Sequence, residues 1–283
     1  MNYVTQIPEE FGFLRSGNHR LEFHSKYRNT VNYIYEGGII ALQSEGTQVT
    51  PLSLSTNIKE PGLNLIPEHD AVISDGIFKA GPIVIVIKDA ETYSSSPRAM
   101  LQLNSDVLHR LEDMIIACEE SHAKNKCTNV IIKFAEETIE NTCKIALSLF
   151  KSNDFCASAA NLSGLIGLGQ GLTPSGDDIL VGIMALMSHT DNSCASEFIL
   201  KLKQRVTAGI SGTGDVSAAY LMCAVNNRFS GYVLEMMKAM AGEDPEKQIR
   251  SVEKVAMTGH SSGIDLLKGV RWACMALETE CGG

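Results

Sequence analysis

The sequence predicts an α+β fold: a β-rich N-terminal domain over residues 1–96, followed by a larger, mainly α-helical domain over residues 97–283. Three observations lead there. Six of the eight prolines lie at or before Pro97, whereas all eight cysteines and ten of the eleven methionines follow it. Before that boundary, short β-branched and aromatic runs alternate with turn residues. After it, apolar residues recur at the helical period.

In the first part, Val31 to Tyr35, Glu36-Gly37-Gly38 and Ile39 to Leu42 read as a hairpin. Ala71 to Ile73, the turn Ser74-Asp75-Gly76 and the Ile83 to Ile87 run extend the same pattern. Beyond it, Ser96 with Pro97 has the form of an N-cap and first-turn proline, and Leu101, Leu108, Leu111, Ile115 and Cys118 follow at helical spacings. Further helices are expected around 127–150, 155–165, 176–189, 194–208, 214–226 and 230–241. Another opens at Asp244-Pro245 and stops at Gly259, and the last runs from about Gly263 to Leu277.

A chain of 283 residues that is 44% hydrophobic and 20% charged has the composition of an ordinary globular protein. The net charge of -9, with no clustering of Lys and Arg, argues against nucleic acid as a partner. The apolar runs Ile179 to Met187 and Ile83 to Ile87 fall short of the ~20 residues of a membrane helix, and the N-terminus lacks a secretory pattern. A cytoplasmic protein is expected. None of the eight cysteines forms a CxxC pair, so they read as buried free thiols on helices and not as disulfides or a zinc or iron–sulfur site.

The segment GLGQGLTPSGDD at 167–178, followed at once by a charge-free helix, carries the strongest chemical signal. A glycine-rich loop opening into a helix aims unpaired backbone N–H groups at one spot, where the helix dipole favours an anion. It is not a P-loop, because no Gly-Lys-Ser/Thr follows, nor a dinucleotide fingerprint, because Gly167, Gly169 and Gly171 alternate. The signature then repeats. SGDDILVG at 175–182 matches SGIDLLKG at 262–269 at five of eight positions.

The repeat predicts that Ser175 and Ser262 are equivalent N-caps, that Asp178 and Asp265 occupy matching first turns, and that Gly182 and Gly269 let helices approach closely. If the two helix starts converge, Gly169, Gly171, Thr173, Ser175, Gly176, Asp177, Ser261, Ser262 and Gly263 would line a pocket for an anion, with Asp178, His260 and Asp265 as its catalytic candidates. Simple capping by Ser and Asp, worth ~0.5–2 kcal/mol, is the plain alternative for either segment alone. His260, beside a helix N-terminus, is expected to stay neutral. The loop SGTGDVS at 211–217 also precedes a helix, and His24, Ser25 and Arg28 could meet an anionic substrate or belong to a solvated loop.

At these residues the sequence resembles the AllH family, a subunit of oxamate carbamoyltransferase. The resemblance covers most of the chain and rests on GLGQGLTPSGDD, on SAAYLMCAVNNRFS at 217–230 and on GHSSGIDLLKG at 259–269, with a weaker match at His24-Ser25 and Asn32. Gln170 departs from the proline usual in the family. The resemblance implies carbamoyl transfer between carbamoyl phosphate and oxamate, giving oxalurate and phosphate, in anaerobic allantoin (ureide) catabolism. It further implies two companion subunits, three different chains in all.

Such a reaction needs a phosphate cradle, a donor to the carbamoyl oxygen and a means of orienting a weak amide nucleophile. Helix-terminal amides with Thr173, Ser175, Ser261 and Ser262 could cradle phosphate. Neutral His260 could polarise the carbonyl, and Asp178 or Asp265 could hold the NH₂ group or act as base. Carboxylates near a phosphate pose a conflict, since unit charges 4 Å apart interact by ~4 kcal/mol at an effective dielectric of ~20. The aspartates must therefore face away, be neutralised by a cation, or meet only the amide end of the substrate. A non-catalytic scaffold subunit is one competing reading. Another is a metal-dependent hydrolase with Asp177, Asp178 and Asp265 around Mg²⁺ or Mn²⁺, whose hard-oxygen preference suits carboxylates.

Overall fold

The computed structural model describes residues 1–97, 100–101, 103–122 and 130–278. They form an α+β protein with two compact units, 1–96 together with 229–231, and 97–228 together with 232–278 among the described residues.

The first unit is a closed β-sheet. Its strands are β1 (Asn2–Pro8), β2 (Asn18–Lys26), β3 (Thr30–Tyr35), β4 (Gly38–Gln43), β5 (Ser53–Thr56), β6 (Ala71–Ser74), β7 (Ile77–Ala80), β8 (Ile83–Val86) and β9 (Glu91–Tyr93). They run in the order β5-β4-β3-β2-β6-β7-β8-β1, β1 pairs back onto β5 to close the ring, and β9 continues beside β1. Closure removes the exposed edges that an open sheet of this size would carry. Alternate residues point inward, so Val31 and Tyr33, Ile40 and Leu42, and Phe78 and Ala80 fill one core with Leu21, Leu54 and Ile85.

Both expected turns are present, with Glu36-Gly37 joining β3 to β4 and Asp75-Gly76 joining β6 to β7. All four turn residues have positive φ, between 47° and 79°, as a two-residue hairpin of matching twist requires. The parallel pairings of β1 with β8 and β9, and of β4 with β5, have no local signature and were not legible in the pattern.

The helices are α1 (Ser105–His122), α2 (Val130–Lys151), α3 (Phe155–Leu162), α4 (Ser175–Met187), α5 (Ser193–Gly209), α6 (Asp215–Val225), α7 (Gly231–Met240), α8 (Pro245–Ala256) and α9 (Ser262–Leu277), and all but Gly231 of α7 belong to the second unit. Most match the expected spans; residues 127–129 of the expected second helix lie outside the described residues. The start of α1 is a correction. The helix begins at Ser105, where Asn104 accepts from the Val107 N–H at 2.9 Å, and not at Ser96-Pro97. Tertiary pairing takes precedence over the cap-plus-proline signal, because Leu101 donates its N–H to the His189 carbonyl and bridges Thr190 in parallel. The Asp244-Pro245 signal does open α8, with Asp244 accepting from Lys247 N–H. Gly259 has the expected left-handed φ of 64°, but the helix has already ended at Ala256.

The thiol reading also needs correction. Cys223 and Cys274 are buried free thiols, whereas Cys118 and Cys143 are half-buried, Cys156 is exposed and Cys194 is disulfide-bonded.

Helix α4 is apolar on every side, with Ile179, Leu180, Ile183, Met184, Ala185, Leu186 and Met187 all buried, so it forms the centre of this unit. Its main partner is α9, and the two backbones meet at the glycines of the repeat. A Cβ on Gly182 would lie 2.0 Å from the Leu266 carbonyl oxygen, and one on Gly269 would lie 2.0 Å from the Ile179 carbonyl oxygen. Leu266 and Ile179 are equivalent in the repeat, so the crossing has a local two-fold character. An aromatic cluster of Phe150, Phe198 and Trp272 packs at the C-terminal part of α9.

Backbone carbonyls at 2.0 Å cannot yield as a flexible side chain could. Gly182→Ala and Gly269→Ala are each expected to destabilise the protein by at least the roughly 1–3 kcal/mol of ordinary overpacking. Gly164→Ala, where a Cβ would meet nothing within 4 Å, is expected to stay near wild type. Urea unfolding midpoints of the three variants check this.

Candidate functional site

The Gly-rich loop folds back on the start of α4. Gly167, Gly169 and Gly171 all have positive φ, and the Leu168 carbonyl accepts from the Gly176 N–H at 2.8 Å. Asp177 holds this turn. It is buried, with Oδ1 accepting from the Gly167 N–H at 2.8 Å and Oδ2 accepting from Thr213 Oγ1 at 2.5 Å and Ser217 Oγ at 2.6 Å. The third hydroxyl-rich loop is thereby joined to the first through a side chain expected to bind substrate. Asp177 is turned into the protein and ties three segments of chain together.

The two helix starts converge. Thr173 Oγ1, just before α4, lies 2.7 Å from Ser262 Oγ in the first residue of α9. The Asp178 carboxyl faces both hydroxyls, and its Oδ2 is sealed from solvent without a hydrogen-bond partner among the described residues. Burial pushes the Asp178 pKa well above the usual carboxylate range. The Ser262 and Thr173 hydroxyls pull it down, while the nearby Asp265 and Asp177 charges push it further up. Asp265 is also buried, but it is paired: Lys268 Nζ lies 2.7 Å from its Oδ1. The Lys268 partnership was absent from the sequence reading, although an acid and a lysine three residues apart on a helix are a recognisable signal.

Two parts of the repeat reading are corrected. Ser175 and Ser262 are equivalent, but they are first helical residues and not N-caps; Pro174 and Ser261 occupy the cap positions, neither with a side-chain cap bond. Several of the first-turn amides are also consumed. The Asp177 N–H donates to the Pro174 carbonyl, and Gly263 donates to the Thr258 carbonyl just as Gly176 donates to Leu168. Loop carbonyls therefore satisfy donors that the sequence reading left open for an anion, and the hydroxyls become the prominent polar groups at the convergence. Ser261 and His260 are exposed in the loop leading into α9, and Gly171 is exposed at the turn before Thr173.

In the first unit, a register shift after Phe23 brings neighbouring side chains together. His24 Nδ1 lies 2.8 Å from Ser25 Oγ, which accepts from buried Asn32 Nδ2 at 3.1 Å. Arg28 is exposed and forms an ion pair with Glu60. Among the described residues, no group of three or more His, Cys, Asp or Glu side chains is placed to hold a metal ion, and no helix is long and apolar enough to cross a membrane.

The chain is thus an α+β protein whose helical unit is organised around two copies of one helix start. The family model for the oxamate carbamoyltransferase subunit AllH matches residues 165–274, a span that begins just before the Gly-rich loop and includes both copies. No solved structure matches the chain.

Two stability predictions follow from the aspartates. Asp177→Ala leaves three donors without their charged acceptor and is expected to cost at least about 3 kcal/mol in urea unfolding. Asp178 behaves oppositely. Its folded pKa is raised, so the unfolded chain releases this proton at lower pH than the native protein does, and stability falls as pH rises from the ordinary carboxylate range through the folded pKa. Asp178→Asn cannot ionise, so its melting temperature should rise above wild type across that window and hold its advantage at higher pH.

Proposed function

We propose that this chain is a substrate-binding subunit of an oxamate carbamoyltransferase, an enzyme that works with companion subunits. The observation that carries the reading is the convergence of Thr173 and Ser262 within the span matched by the family model. In this reading the reaction exchanges a carbamoyl group between carbamoyl phosphate and oxamate, giving oxalurate and phosphate, in the cytoplasm during allantoin breakdown. Two different companion subunits complete the enzyme, and they are the source of additional Arg or Lys for the phosphate.

The chemistry asked of this chain is limited and specific. The hydrogen-bonded Ser262–Thr173 pair supplies one outward hydroxyl donor to a phosphate or carbamoyl oxygen, with exposed Ser261 beside it. In this reading His260, exposed one residue earlier, donates to the carbonyl oxygen as negative charge develops there. The charge conflict is met within the chain: Asp177 faces the loop amide and two hydroxyls, Asp265 faces Lys268, and desolvation of the Asp178 carboxyl favours its neutral form. Asp178 and Asp265 thus act here by positioning other groups and not by touching substrate. His24, Ser25 and Arg28 remain proposed anion-contacting groups of the first unit.

The scaffold reading draws support from the consumed helix-start amides, which bind the protein's own carbonyls. One assay separates the two. Oxalurate phosphorolysis to carbamoyl phosphate is followed in the assembled enzyme, with the isolated subunit as control. Ser262→Ala and His260→Ala should each lower turnover by ~10²–10³-fold, the effect of deleting one oxyanion donor, with melting temperatures close to wild type. Full activity in both variants would leave the scaffold reading.

A further inference from the structure

We propose that Asp178 is a protonic switch on the Thr173–Ser262 hydroxyl pair: with its proton it donates to the pair and frees one of their O–H bonds for an oxyanion, and without it the pair turns inward to donate to the carboxylate. The inference rests on the proposed placement of a phosphate or carboxylate group at this pair and adds its regulation by pH.

A hydroxyl has a single proton to give and can accept two hydrogen bonds. Thr173 Oγ1 and Ser262 Oγ are 2.7 Å apart, so one of their two protons already lies between them. An ionised carboxylate is an acceptor only, and beside this pair it would draw the remaining proton inward, leaving lone pairs toward an incoming anion. A protonated carboxyl reverses the chain, because it donates to one hydroxyl, which donates to the second, whose proton then points outward.

The location favours the protonated arrangement. Oδ2 is sealed from solvent and has no partner among the described residues, a costly position for half of a carboxylate. The charged groups facing Asp178 are Asp265 and Asp177; Lys268 is engaged with Asp265, and His260 lies exposed two residues before Ser262. Neither neighbouring carboxylate stabilises a charge on Asp178, and its raised pKa agrees with that. Oδ2, being sealed, meets no ligand, and in this proposal Asp178 acts through the hydroxyl pair as a positioning residue.

Sulfate is the probe, because it carries the charge and oxygens of a phosphate without titrating over about pH 5–9. Its affinity for the full chain is measured by calorimetry across that range in wild type, Asp178→Asn, Ser262→Ala and His260→Gln, with an infrared spectrum to detect the protonated carboxyl band. Wild type should lose affinity by up to about tenfold per pH unit above the Asp178 pKa, the slope for release of one required proton. It should take up a proton on binding in that range, seen as a buffer-dependent heat. Asp178→Asn should lack the infrared band and this pH dependence, His260→Gln should keep the infrared band, and Ser262→Ala should bind weakly at every pH. Parallel pH profiles in wild type and Asp178→Asn, or a wild type without proton uptake, would overturn the switch while leaving the hydroxyl pair as an anion site. Absence of sulfate binding in wild type would overturn both. If Asp178→Asn does not fold, the proton uptake and infrared band of wild type decide the matter alone.

Discussion

The backbone contact between α4 and α9 is the constraint from which the rest of the helical unit follows. Gly182 faces the Leu266 carbonyl and Gly269 faces the Ile179 carbonyl, a reciprocal pair of contacts that no side chain could occupy. At such separation the helices share an extensive apolar surface, and α4 is enclosed on all sides. The close crossing also brings their N-terminal turns together, which places Ser262 against Thr173. The repeat thus has a structural role before any chemical one.

The second organising element is the disposition of charge around that crossing. Three carboxyl groups lie within two turns of the convergence, and each is met differently. Asp177 accepts from a backbone amide and two hydroxyls, Asp265 has Lys268, and Asp178 is disposed toward neutrality by burial. A segment that reads as strongly acidic therefore offers few bare negative charges toward the Thr173–Ser262 pair. This matters for any reading in which an anion binds there, since helix-end electrostatics of roughly 0.3–1 kcal/mol could not offset several unscreened carboxylates.

Parts of the candidate site were legible because they are local or repeated. The SGxD helix starts, the close-approach glycines and the left-handed Gly259 are set by short-range backbone demands, which leave a signature in residue type. The destinations of the polar groups were not legible. The amides of Gly176 and Gly263 could as well have faced a ligand as the carbonyls of Leu168 and Thr258, and only the path of the preceding loops decides it. Likewise, Asp177 and Asp178 are adjacent in sequence, yet their environments diverge because one faces Thr213 and Ser217 and the other faces Ser262.

The sequence by itself determined the α+β class, most helix spans, the β3–β4 and β6–β7 turns and the equivalence of the two helix starts, because hydrophobic period, turn chemistry and glycine placement act over a few residues. Tertiary structure alone decided the closure of the β-ring through β1 and β5, the delayed start of α1 and the partners of each carboxyl group. Those outcomes depend on contacts between residues far apart in the chain. Leu101 reaches His189, and Thr173 reaches Ser262, only because the intervening helices pack as they do.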